Sequence, residues 1–263
     1  MTENIAKARI ATFNVNSIRA RLDNLTDWLT ASQPDIVLLQ EVKATLDVFP
    51  FEALNKVGYH AEVVGQKSYN GVAILSREPV ELLSDRLPGD ETDAQARWIE
   101  ARWRGIHLCG LYLPNGNPFP SAKFDYKLDW MRRLYAHLAD LMARELPLLA
   151  AGDFNLCPED EDAWDAQAIA QDALVQPEVR DLYYAMLNLG LTNALRSRRD
   201  AAGLYSYWDY QGAAFDKDQG LLIDHILLSP ELADRQLAVG IDRSVRAQPK
   251  ASDHTPVWVE LSL

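Results

Sequence analysis

Short apolar runs that end in polar residues recur along the chain. Arg9-Ile10-Ala11-Thr12-Phe13 runs into Asn14-Val15-Asn16, Ile36-Val37-Leu38-Leu39 into Gln40-Glu41, and Leu146-Pro147-Leu148-Leu149-Ala150-Ala151 into Gly152-Asp153-Phe154-Asn155. Runs of this length predict buried strands whose C-terminal ends deliver side chains to a surface crevice. Residues 61–64, 71–75, 98–103, 106–113 and 221–229 predict further strands, with Arg104-Gly105 turning a hairpin, and 257–261 alternates as a closing strand. Elsewhere the period becomes helical. Leu22, Leu25, Trp28 and Leu29 share a face before Pro34, and Phe124, Leu128, Met131, Leu134, Tyr135, Leu138, Leu141 and Met142 make a stripe across 121–144. A third helix is predicted over 181–189, closed by Gly190. The acidic stretch 158–176 predicts a solvated loop with a short helix, since no strand end anchors it. Tyr205-Ser206-Tyr207-Trp208-Asp209-Tyr210 fits either a strand with one packed face or a surface for stacking bases and sugars. Interleaved strands and helices with hairpin neighbours predict an α/β fold: two mixed, largely antiparallel β-sheets packed as a sandwich and flanked by helices, in one domain spanning 1–263.

Composition supports that size. The 263 residues are 48% hydrophobic and 24% charged, and a chain this long buries about three quarters of its unfolded surface, so it needs no metal or disulfide staple. Cys109 and Cys157 are expected to be core thiols in a reducing compartment. Met1 to Lys7 holds no apolar stretch, and no run approaches about 18 apolar residues, so a cytoplasmic protein without membrane contact is expected. The net charge of -12 argues against nonspecific binding of polyanions. It does not exclude an enzyme of nucleic acid, because a divalent metal held by carboxylates reverses their sign locally.

The polar groups at strand ends are where the chemistry concentrates. Asp153 and Asn155 lie two apart, a spacing that on extended chain points both at one ligand, although an Asx turn is the plainer account of the same residues. With Asn14, Asn16, Glu41, Tyr112, Asp224, Asp253 and His254 they form an oxygen-rich set without a Cys/His cluster. Such a set selects a hard cation, Mg2+ or else Mn2+, over zinc. A base for water, an oriented imidazole and amide and phenol donors suit hydrolysis of a phosphoester. Asp224 sits in an apolar strand, which is costly unless it is paired. His225 points to the other side of that strand, and His60, His107 and His137 are expected to be structural.

Five segments then carry a resemblance: 13–20, 39–43, 152–155, 223–227 and 252–257. Together, in order from Ile10 to Val259, they resemble the exonuclease III family of apurinic/apyrimidinic endonucleases, within the metal-dependent endonuclease, exonuclease and phosphatase superfamily. The resemblance implies Glu41 as main metal ligand with Asn14 beside it and Asp253 in support, and Asp153 and Asn155 counted at the same metal site. It implies that Asp153 activates water, Asn155 stabilises the transition state, Asp224 orients His254 on the scissile phosphate, and Tyr112 bonds the phosphate or the catalytic carboxylate. Asn16, Arg97 and Asn115 would touch DNA, and Tyr207, Trp208, Leu221 and Ile223 would wall a pocket for a flipped-out abasic sugar. The implied partner is double-stranded DNA with abasic sites or 3' ends, met by a monomer.

One departure stands out. Between Phe215 and Asp224 many relatives carry arginines and a tryptophan, whereas this chain reads Asp216-Lys217-Asp218-Gln219-Gly220-Leu221-Leu222-Ile223, which should weaken phosphate contacts. A superfamily relative acting on a small or lipid phosphoester is the alternative. A catalytically dead DNA-binding module would be expected to lack Glu41, Asp153 or His254, and all three are present.

Overall fold

The computed structural model describes residues 6–197 and 203–263, so most of the N-terminal stretch read above lies outside the described residues. In chain order the elements are β1 (Lys7–Asn14), α1 (Leu22–Ser32), β2 (Ile36–Gln40), α2 (Phe51–Lys56), β3 (His60–Val64), β4 (Val72–Ser76), β5 (Glu81–Ser84), β6 (Trp98–Trp103), β7 (Ile106–Tyr112), α3 (Ala122–Met142) and β8 (Leu148–Asp153). They continue with α4 (Pro177–Leu187), β9 (Thr192–Asn193), β10 (Asp224–Leu228), α5 (Pro230–Asp234), β11 (Gln236–Ile241) and β12 (Val257–Ser262).

One six-stranded sheet runs β11-β12-β1-β2-β4-β3 and the other β5-β6-β7-β8-β10-β9. Pairing is parallel for β1 with β2 and for β7 with β8, and antiparallel elsewhere. The predicted sandwich of two mixed, largely antiparallel sheets is therefore what forms.

The apolar runs are continuous because the central strands are buried on both faces. Ile10, Ile36, Leu38, Val72 and Ile74 of the first sheet meet Ile99, Leu108, Leu149, Ala151 and Ile226 of the second. Their neighbours Phe13, Val37, Leu39 and Leu75 turn outward onto Leu25, Trp28 and Leu29 of α1. On the far side Leu111, Leu148 and Ala150 receive Leu128, Met131, Leu134 and Leu138 of α3, with Tyr183 and Met186 of α4. Four layers result, and each Leu or Ile taken fully out of water contributes about 1.5–3 kcal/mol.

Several expectations change in detail. The third helix begins at Pro177 and not 181, since proline at its first position is pre-set for helical φ. The aromatic stretch 205–210 forms no strand; Tyr207 makes single bridges to Leu221 and His254. The predicted strand 221–229 shortens to 224–228, which moves Asp224 from its middle to its start. Strands β5, β9 and β11 and the short helices α2 and α5 were not legible as periodic runs. Cys109 and Cys157 are buried, free thiols, as expected.

Of the histidines expected to be structural, His107 is buried and His137 half-buried, both on one carboxylate, while His60 is exposed. Glu100 lies beneath α3, accepting a hydrogen bond from His107 Nε2 at 2.6 Å and from His137 Nε2 at 2.9 Å. Burial opposes its charge, but these bonds and the attraction of both rings outweigh burial and bring the carboxyl down to about 2. A carboxyl depressed on folding contributes stability above its unfolded range and loses it as pH falls from about 4.5 to about 2. Glu100→Gln is accordingly expected to lower stability by about 2 kcal/mol at pH 7. Denaturant melts at pH 7 and pH 3 check this, because the difference from wild type should shrink at the lower pH.

Candidate active site

Four strands from both sheets end at one cleft of about 520 Å3. Gly152 sets its centre. A Cβ there would lie 1.9 Å from the Leu111 carbonyl oxygen, so only glycine lets β8 run this close to β7. In that register Tyr112 stands beside Asp153 on one side, and Asp224 opposes Asp153 on the other. The strand stops at Asp153, and Asn155 does not continue it. Asn155 has φ +45° and donates its N–H to Asp153 Oδ1 at 2.9 Å, an Asx turn. The turn and the shared ligand face coexist: the reversal at Asn155, and not the extended spacing, brings its amide back to the cleft. Glu41 and Asn16 are likewise left-handed, at φ +50° and +42°, so three site residues sit where the chain reverses after a strand.

The side chains interlock. Asn14 Nδ2 donates to Glu41 Oε1 and to Asp153 Oδ2, each at 2.9 Å, and Tyr112 Oη donates to the same Glu41 oxygen at 2.9 Å. Lys43 Nζ sits 2.7 Å from Glu41 Oε2 and donates to Asn16 Oδ1 at 2.6 Å, while Asn16 Nδ2 reaches Asp253 Oδ1 at 3.0 Å. Asn115 Nδ2 donates to Asn155 Oδ1, and Asn155 Nδ2 to the Leu113 carbonyl, both at 2.9 Å. His254 Nδ1 lies 2.8 Å from Asp224 Oδ2, which also accepts from Ser206 Oγ at 2.6 Å. His254 Nε2 is 3.7 Å from Asp153 Oδ2. Asp224 Oδ1 is buried without a hydrogen-bond partner.

These contacts tune the groups in opposite senses. Burial would raise the Glu41 carboxyl, yet hydrogen bonds from Asn14 and Lys43 and the Lys43 charge hold it below its ordinary range. Burial raises Asp153, and the charges of Asp224 and Glu41 add to it against the pull of His254 and Asn14. Burial opposes the charge on His254, but Asp224 and Asp153 outweigh it and push the imidazole upward. Burial first, then Glu41 and Asp153, keeps the Tyr112 phenol protonated and so a donor. The arrangement thus pairs a carboxyl of raised basicity with a cationic ring.

The donor set fits a hard cation. Glu41, Asp153 and Asp253 offer carboxylate oxygens to the cleft, and the Lys43 ammonium on Glu41 shows the affinity of that spot for positive charge. Asn14 presents its NH2 to both carboxylates and accepts the Asn16 N–H on its oxygen, an acceptor with two lone pairs. Asn155 likewise accepts one bond on its oxygen, from Asn115. Asp153, Asp224 and His254 also converge as possible ligands, with His254 Nδ1 hydrogen-bonded to Asp224 and His254 Nε2 standing 3.7 Å from Asp153 Oδ2.

Of the expected DNA contacts, Asn115, Tyr207, Leu221 and Ile223 line the cleft. Tyr207 packs edge-on to His254 with 5.0 Å between ring centres. Arg97 braces Tyr112 from behind: its guanidinium lies 4.6 Å over the ring and donates to the Tyr112 carbonyl at 3.1 Å. Trp208 is the clear correction. It is 0% exposed and absent from the cleft wall, because Tyr205 and Phe215 enclose its ring and Asp218 accepts its N–H at 3.2 Å.

Sequence reasoning missed part of the apolar wall that Tyr207, Leu221 and Ile223 belong to. Trp164, Ile169 and Leu174 face the cleft from the acidic stretch expected to be solvated, and their spacing of five within a polar run is the signal that was available. It also missed Lys43 and Ser206 as partners of the site carboxylates. Two arginines pack against this segment and its neighbours: Arg243 pairs with Asp218 at 2.8 Å and lies over Trp208, and Arg246 lies over Phe215 and Tyr210.

Comparison with known proteins gives a consistent picture. Residues 11–254 match the endonuclease/exonuclease/phosphatase family. The chain is 33% identical to an exodeoxyribonuclease III of Haemophilus influenzae over 267 aligned positions, covering 96% of this chain and 99% of that one. A solved AP endonuclease from Archaeoglobus fulgidus superposes with a TM-score of 0.93 at 34% identity, covering 97% of this chain and all of that one. A 3' phosphatase from Neisseria, bound to a product DNA hairpin, superposes with a TM-score of 0.94 at 38% identity and the same coverage.

Proposed function

Because the chain belongs to the endonuclease/exonuclease/phosphatase family, matched over residues 11–254, we propose that it is a metal-dependent phosphodiesterase of DNA repair, an AP endonuclease with 3'-5' exodeoxyribonuclease activity. The exodeoxyribonuclease III and AP endonuclease relatives support both activities. The observation that carries the reading is the unbroken chain Glu41–Asn14–Asp153 meeting the Asp224–His254 pair in one cleft. The finer terms of the proposal are Mg2+ as the ion, incision 5' to abasic sites, cleaning of 3' ends, and one domain acting as a monomer. The Neisseria 3' phosphatase, at 38% identity, supports the 3'-end chemistry. Among the described residues no helix is long and apolar enough to cross a membrane.

In this reading Glu41 and Asp253, with Asp153 nearby, hold a divalent cation that offsets charge on the phosphate. Asp153 takes the proton of the attacking water, with Asn14 Nδ2 and the Asn155 N–H fixing its two oxygens. His254, kept cationic and aimed by Asp224, faces the phosphate oxygens. Asn155 and Asn115 each use one amide hydrogen internally and keep a second for those oxygens. The water oxygen bonds to phosphorus as the bond from phosphorus to the 3' oxygen breaks, leaving a 5' phosphate, and the departing oxygen takes a proton from solvent water to become the 3' hydroxyl. Tyr207, Leu221 and Ile223, packed with Ile169 and Leu174 and lining the cleft with Trp164, would receive the abasic sugar.

The test is cleavage of a labelled duplex carrying one central abasic-site analogue, beside the same duplex without it, in Mg2+ and in EDTA. We expect incision at the analogue in Mg2+ and a loss of at least about 1,000-fold in EDTA, the scale of losing the ion that offsets transition-state charge. Cleavage that persists in EDTA would remove the metal from the mechanism. No cleavage of either duplex, alongside turnover of a small phosphodiester, would favour the small-substrate alternative.

A further inference from the structure

Lys127 lies on α3 within a helix otherwise read as packing, and it is 0% exposed. Its ammonium donates to three main-chain carbonyls: Asn155 at 2.6 Å, Asn115 at 3.0 Å and Ala173 at 3.2 Å. An ammonium has three protons, and each is used. The acceptors belong to three separate segments that border the cleft: the turn after β8, the loop after β7, and the wall that precedes α4.

The surroundings are shaped to this side chain. Gly116, at φ +89°, carries the loop over the lysine stem, and a Cβ there would lie 2.7 Å from Lys127 Cδ and 3.2 Å from Ala173 Cβ. Asn117 ties the same two loops, donating to Asp172 Oδ1 at 2.8 Å and accepting from the Ala173 N–H at 3.0 Å. Asn155 holds a left-handed backbone, which a residue with a side chain keeps only when its environment over-determines it. Asp153 Oδ1 fixes its N–H and Lys127 fixes its carbonyl, so both ends of the residue are clamped.

We propose that Lys127 is a positioning residue: from beneath the cleft floor its ammonium locks the reversed main chain of Asn155, and with it the Asn115 loop, so that the side-chain amide of Asn155 meets the scissile phosphate. The inference rests on the role given to Asn155 above. It adds that this role depends on a cation that never touches the substrate.

The test is a double-mutant cycle of Lys127→Met and Asn155→Ala, followed by steady-state kinetics on the abasic duplex. Lys127→Met should lower kcat by about 100-fold, the scale of an ångström-level misplacement, with KM within about threefold because uniform binding is untouched. Combined with Asn155→Ala it should add less than about fivefold, since the group it positions is already gone. Wild-type kcat in Lys127→Met, or a full multiplicative loss on top of Asn155→Ala, would overturn the inference. Wild-type kcat in Asn155→Ala alone would instead overturn the role of Asn155 on which it rests. Where the methionine variant does not fold, Lys127→Gln carries the same cycle: its shorter amide keeps two N–H donors, and the same non-additivity with Asn155→Ala is expected.

Discussion

Asp153→Asn is expected to lower kcat on an abasic duplex by about 1,000-fold or more, in the upper range for losing a general base, while DNA affinity stays within about threefold. The substitution is nearly isosteric. Oδ1, which accepts the Asn155 N–H, has an equivalent in the carboxamide, so the turn that carries Asn155 is kept. What disappears is the oxygen between Asn14 Nδ2 at 2.9 Å and His254 Nε2 at 3.7 Å, the one placed to take a proton. Burial and the neighbouring charges raise this carboxyl, which makes it a better base than an exposed aspartate. The sign for pH follows: the base must be ionised, so the wild-type rate should rise with pH as Asp153 deprotonates, and the variant should lack that limb. Single-turnover cleavage and fluorescence-anisotropy binding check both halves. A variant rate within tenfold of wild type would remove Asp153 from the role of base.

Asp224→Ala is the second large effect, an expected rate loss of about 100- to 10,000-fold, as for a triad that loses the carboxylate orienting its imidazole. Asp224 is fully buried at the start of β10, and its Oδ2 holds His254 Nδ1 at 2.8 Å and Ser206 Oγ at 2.6 Å. Without it, His254 loses the hydrogen bond and the nearest of the charges that push its imidazole upward, leaving Asp153 and Asp253 to oppose burial. The protein should remain folded at the assay temperature, because the sandwich core around Ile226 and Leu228 does not depend on this carboxylate. A buried carboxylate oxygen left without a partner, Oδ1, is a liability accepted for function and not for stability. Thermal melts beside the kinetics separate the cases. A melting temperature that collapses would make Asp224 a structural residue, and an unchanged rate would end its role in orienting His254.

Much of this molecule is legible along the chain, and the reason is local. The runs at β1, β2, β8 and β10 are continuous because both faces are buried, the α3 stripe follows the helical period, and polar residues at strand ends are conspicuous against apolar neighbours. These features determined the fold class, the oxygen-rich chemistry and the choice of Asp153, Glu41, Asp224 and His254. Tertiary structure decided the rest, because periodicity says which face a residue takes but not what stands across from it. Trp208 reads like Tyr207 in sequence, yet one is enclosed by Phe215 and the other meets His254. Trp164, Ile169 and Leu174 sit in an acidic run, and only the return of that run over the cleft makes them a wall. Arg243 and Arg246 are distant in sequence from the Asp218 and Phe215 that they meet. Lys127 is a charged residue on the packed face of a helix, and its use depends on three carbonyls from segments 12, 28 and 46 residues away.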